Sequence, residues 1–127
     1  MAQVQCIPTR RPLQATPQSA ARAADERERY GLAFRTFRSY QRAYRDLDHA
    51  GFMRAYRTLR ACGWSCIPLV PLADLGDDGA ALAEFYAMLR AYLDRRQPEV
   101  LRRQRALRQA GWSVCPRAPH RGMGGEQ

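Results

Sequence analysis

Residues 30–47 read YGLAFRTFRSYQRAYRDL, and the spacing of their apolar side chains decides the fold class. Tyr30, Ala33, Phe37, Tyr40, Tyr44 and Leu47 recur in steps of three and four, and Phe34 widens the stripe. That is the period of a helix with one face in a core. The aromatic row reads as core packing, with base stacking by some of the tyrosines as the alternative. Upstream, the alanine-rich stretch SAARAADERER favours helix, and Ser19 can cap it. Pro8, Pro12 and Pro17 lie among polar and basic residues, so residues 1–18 are expected to form a flexible arm.

Downstream, a break at Gly51 should start a second helix carrying Phe52, Ala55, Tyr56, Leu59 and Cys62 on one face and ending at Gly63. Pro68 and Pro71 cannot sit inside a helix, so residues 64–76 read as a Pro-rich extended crossover. A third helix begins at Asp77 or Asp78, where acidic residues suit the positive end of the helix dipole, and turns Leu82, Phe85, Tyr86, Leu89 and Leu93 inward. Pro98 opens a fourth helix that runs through Val100, Leu101 and Leu107 to Gly111. The expected architecture is all-α, a small bundle of about four helices in one domain over residues 19–115, with a disordered tail over 116–127. At 127 residues the chain can bury an ordinary core without disulfides or a metal.

One internal echo interrupts this plain pattern. Residues 57–65, RTLRACGWS, reappear at 105–113 as RALRQAGWS, and a weaker third copy runs through Gly51 and Phe52. A glycine that ends a helix in the left-handed conformation, followed by an aromatic that folds back on the last turn, explains the shared part as common capping. Duplication of a helix plus an extended segment is the alternative.

Charge carries the functional expectation. Basic residues number 21 against 12 acids, every one of them arginine, and the formal net charge is +9. A balance so basic favours a polyanionic partner. Residues 30–66 hold seven arginines against Asp46 and Asp48, whereas residues 67–95 hold two against five acids. Arg35, Arg38, Arg42 and Arg45 fall at steps of three, four and three, one row along a helix whose members repel unless something compensates them. A solvated face, or neutralisation by the acidic third helix, is the competing explanation. Arg54, Arg57, Arg60, Arg102, Arg105 and Arg108 are expected to support the row.

Other chemistries are poorly represented. Gly51 or Gly63 as the turn of a helix-turn-helix fails, because Arg57 and Arg60, or the two prolines, would occupy positions that need buried aliphatics or helix. Cys62 and Cys66 with Cys115 and His120 have spacings compatible with zinc, but ordinary thiols are the favoured reading and no metal or other cofactor is expected. The sequence lacks GxSxG, HExxH and a phosphate-binding glycine loop. No apolar run approaches the roughly 20 residues of a membrane span, so a cytoplasmic protein without membrane contact is expected. The reading is a non-catalytic protein that binds the backbone of DNA or RNA, alone or within a nucleoprotein complex. The alternative is a phage- or plasmid-encoded regulator that docks on an acidic protein surface, with Trp64 and Trp112 as anchors.

Overall fold

A computed structural model describes residues 17–117, with side chains from residue 20. Helix α1 spans Pro17–Arg45, α2 His49–Ala61, α3 Asp78–Leu93 and α4 Gln97–Gln109. Two strands, β1 (Trp64–Pro68) and β2 (Trp112–Pro116), pair antiparallel. The molecule is mostly helical, as the periodicity predicts, but it is not all-α. The expected crossover over residues 64–76 is divided, since 64–68 are strand and Leu72–Asp74 form a turn of 3-10 helix. At the termini, α1 starts with Pro17 at a position proline tolerates. Pro116 closes β2, and the Arg117 N–H donates to the Gly63 carbonyl at 2.7 Å, so the ordered chain reaches past the expected domain end. The remainder of the arm and tail lies outside the described residues.

The echo is a repeat of a whole helix–helix–strand unit. Leu47 and Arg95 both adopt left-handed backbone, at φ 58° and 59°, and Gly63 and Gly111 do so at 98° and 102°. Each second member follows the first by 48 residues, as Trp112 follows Trp64 and α4 follows α2. The helix–helix turns match bond for bond. Asp48 N–H reaches the Ala43 carbonyl as Arg96 N–H reaches Ala91, both at 2.9 Å, and Leu47 and Arg95 bond back to Tyr44 and Tyr92. This is a Schellman closure with an L-residue where glycine is usual. The weaker third copy is not a helix end. Gly51 lies in the first turn of α2, where its N–H donates to Asp48 Oδ1 and a Cβ would collide with that carboxylate. The helix break is at Leu47.

The two units share one core. Phe37 of α1 stacks on Phe85 of α3 at 4.4 Å between ring centroids, positions equivalent in the repeat. Trp112 presents its ring to Phe37 at 5.4 Å, and Trp64 to Phe85 at 6.0 Å, so each strand covers the other unit's first helix. Tyr92 meets Trp64 and Tyr44 meets Trp112 in the same crossed sense. The ribbon follows the same two-fold, with Cys66 opposite Val114 at its centre and Trp64 and Pro68 opposite Pro116 and Trp112 at its ends. Beyond it, the Leu69 N–H donates to the Gly111 carbonyl as Arg117 does to Gly63.

The repeat supplies its own control for a stability test. A Cβ on Gly111 would meet Val70 and Leu75 at 2.8 and 2.9 Å, whereas one on Gly63 meets nothing within 4 Å. Gly63→Ala should cost about 1–2 kcal/mol for left-handed backbone alone. Gly111→Ala should add about 1–3 kcal/mol of overpacking. Urea unfolding of the two variants checks this, and equal losses would contradict the packing described.

Candidate nucleic-acid interface

Helices α1 and α2 form an antiparallel hairpin, and a groove of about 730 Å³ runs between their outer faces. Its floor contains the small residues Thr36, Ala43, Gly51 and Ala55. Arg35, Arg38 and Arg42 stand along its α1 side and Arg54 on its α2 side, all four exposed. None of the four forms an ion pair among the described residues. Asp46 and Asp48 close the end beside the turn, with Asp48 engaged as the α2 cap.

The fourth member of the α1 row is different. Arg45 donates from Nε and Nη2 to the Asp78 carboxylate at 3.1 and 3.0 Å and from Nη2 to the Gly76 carbonyl at 2.9 Å. The hydrogen bond to Asp78 raises its already high pKa. Neutralisation by the third helix therefore holds for Arg45, which ties α1 to the start of α3, and not for the other three.

The second unit fills the equivalent place differently. At the positions of Thr36, Gly51 and Ala55 it carries Glu84, Glu99 and Arg103. Arg103 spans the space, bonding Glu84 at 3.0 Å and Glu99 at 2.7 Å, and Arg102 pairs with Glu99 as well. Arg103 beside Glu99 holds that carboxyl below the usual carboxylate range. Ala83 and Tyr86 replace Arg35 and Arg38. One unit thus presents an open basic groove, and the other closes the same place with its own ion pairs.

The remaining expected residues scatter. Arg57 is exposed on α2. Arg60 donates to the Tyr56 hydroxyl at 3.0 Å and lies over that ring. Arg105 and Arg108 are exposed on α4 beside Ser113 and Cys115, away from the groove. The two tryptophans cannot anchor a partner, since Trp64 is 1% and Trp112 0% exposed and both belong to the shared core. Tyr30 and Tyr40 are buried too, and the Tyr40 hydroxyl donates to the Cys66 carbonyl, so neither can stack on a base.

Of the expected thiol set, His120 lies outside the described residues. Cys66 faces the core from β1, whereas Cys115, one position off register on β2, faces out. Among the described residues no three His, Cys, Asp or Glu side chains converge as metal ligands would. No described helix is long and apolar enough to cross a membrane. Comparison with protein-family models, curated proteins and solved structures returned no match.

Burial pushes the thiols of Cys62 and Cys66 up, away from the reactive thiolate. Iodoacetamide near neutral pH should therefore label exposed Cys115 in the native protein and reach Cys66 only after denaturation. Peptide mapping by mass spectrometry distinguishes the sites, and native labelling of Cys66 at the rate of Cys115 would contradict the packing of the ribbon.

Proposed function

We propose that the chain is a non-catalytic nucleic-acid-binding protein that holds a phosphate backbone in the groove between α1 and α2. The observation that carries this reading is the contrast between the units. Arg35, Arg38, Arg42 and Arg54 border open space without carboxylate partners among the described residues, while the equivalent space in the second unit is filled by Glu84, Glu99 and Arg103. The shared fold does not require the open, basic version. Guanidinium forks bind phosphate oxygens bidentately and remain charged at any working pH. Among the described residues the groove's uncharged polar side chains are Thr36, Ser39 and Thr58, without the bidentate amides of Asn or Gln, so backbone contact without strong sequence preference is the expected mode. Arg45 is left out of this set because Asp78 holds it.

Four phosphate contacts release counterions in proportion, with a logarithmic salt slope of about −0.9 per contact on duplex and about −0.7 on single strands. Raising salt from about 50 to 200 mM should weaken duplex binding by roughly two decades. In the variant Arg35→Gln/Arg38→Gln/Arg42→Gln/Arg54→Gln the slope should flatten toward zero, because glutamine keeps helix propensity and removes only charge. Arg105→Gln/Arg108→Gln, outside the groove, should change it little. Fluorescence anisotropy with labelled oligonucleotides reads both. Unchanged affinity in a folded quadruple variant would reject the proposal. Absence of binding by the parent at low salt would turn the same surface toward an acidic protein.

A further inference from the structure

At the end of the hairpin away from the α1–α2 turn, past the groove and lined by other residues, lies a second cavity of about 400 Å³. Of its α1 residues, Glu26, Arg29 and Tyr30, Arg29 lies three residues before Leu32 of the groove, and its α2 residues Arg60 and Ala61 follow Thr58. Arg95 from the α3–α4 turn and Arg117 from beyond β2 complete the wall, and Trp64 and Tyr92 line its apolar part. Four guanidinium groups thus line one cavity beside a single carboxylate, Glu26, and none of the four forms an ion pair among the described residues. Two of them, Arg29 and Arg95, act on the Tyr30 phenol there. Burial pushes Tyr30 up to about 12, Tyr92 and Glu26 push the same way, and Arg29 and Arg95 oppose them.

The other unit again serves as comparison. At the place related by the repeat, the positions of Arg29, Arg95 and Arg117 hold Asp77, Leu47 and Leu69. Its equivalent space over Gly111 is filled by Val70 and Leu75 from the crossover, whereas Gly63 has nothing within 4 Å of its Cβ position. The cavity draws on both units, and of its four arginines only Arg60 has an arginine counterpart at the 48-residue interval, Arg108.

We propose that this cavity receives the terminal phosphate monoester of a nucleic-acid strand whose backbone lies in the adjoining groove, an inference that rests on the nucleic-acid reading of that groove. A monoester carries nearly twice the charge of a backbone diester and offers three acceptor oxygens, which suits several converging guanidinium groups better than an internal phosphate does. Of the wall, Tyr92, partly exposed, and the exposed Arg95 are available to the flat face of the terminal base, whereas Trp64 is buried behind them.

The test uses one short single strand in three forms, 5′-phosphorylated, 3′-phosphorylated and hydroxyl-ended, with the full chain and with Arg95→Gln/Arg117→Gln. Neither substituted residue lines the groove, and Arg117 contributes to the fold through its backbone N–H. One of the two phosphorylated forms should bind the parent about tenfold more tightly than the hydroxyl-ended strand. The double variant should lose that preference while binding the hydroxyl-ended strand as the parent does. Equal affinity of all three strands for the parent overturns the proposal and leaves the groove reading intact. A preference that survives in the double variant overturns it as well. A free mononucleotide serves as competitor. If it displaces nothing from the groove yet binds the parent with an affinity that a strand terminus does not improve, the cavity is a nucleotide site and the strand-end proposal fails. Failure of the groove reading has a separate signature, which is hydroxyl-ended strand binding that does not respond to the loss of Arg35, Arg38, Arg42 and Arg54.

Discussion

The stacked pair Phe37–Phe85, with Trp112 and Trp64 crossed over it, is the contact on which the rest depends. Each unit is too small to bury a sufficient core by itself. Exchange of the two tryptophans between units solves this, because neither Trp64 nor Trp112 can be covered without the first helix of the opposite half. The antiparallel ribbon follows from the same exchange, since two equivalent strands brought to a two-fold axis can pair with each other. Both first helices are then buried on the face that carries Ala33, Phe37 and Tyr40, or Ala81, Phe85 and Met88. Their opposite faces, with the grooves against α2 and α4, are left outside.

Once the core is fixed by symmetry, the outer faces are free to differ. The first unit keeps small residues on the groove floor and arginines on its sides. The second replaces the floor with a carboxylate–guanidinium–carboxylate arrangement of Glu84, Arg103 and Glu99. These pairs are solvent-accessible and contribute little stability. Their effect is to occupy the space and to cancel the charge. The repeat is thus uniform inside and asymmetric outside, although Arg90 and Arg102 keep the arginines of Arg42 and Arg54.

Much of this was legible in residues 30–47, where the three–four spacing marks the core face and the arginine row together. The repeat was only half legible. Its local signature, a glycine and tryptophan after a helix, is also ordinary capping chemistry, and the first helices share only scattered identities, Gly31 with Gly79, Ala33 with Ala81, Phe37 with Phe85, and residues 42–44 with 90–92. Strands of five residues with a terminal proline carry too little alternation to separate from an extended crossover. Trp64 and Trp112 looked like partner anchors because their burial depends on the far half of the chain. The pairing of Arg45 with Asp78 is likewise tertiary, and no spacing within α1 distinguishes it from Arg42. Thr36, Gly51 and Ala55 attract no notice in a search for charge, although their smallness opens the groove. Comparison with Glu84, Glu99 and Arg103 at the fixed interval was the signal that could have found them.

The proposal that only the first unit's groove binds is tested most directly by mapping amide chemical shifts while a short nucleic-acid strand is added at low salt. The account predicts shifts concentrated on residues 32–58, along the groove between α1 and α2, with the equivalent residues 80–106 largely unmoved. Shifts of similar size on both units, or on the second unit alone, would contradict it.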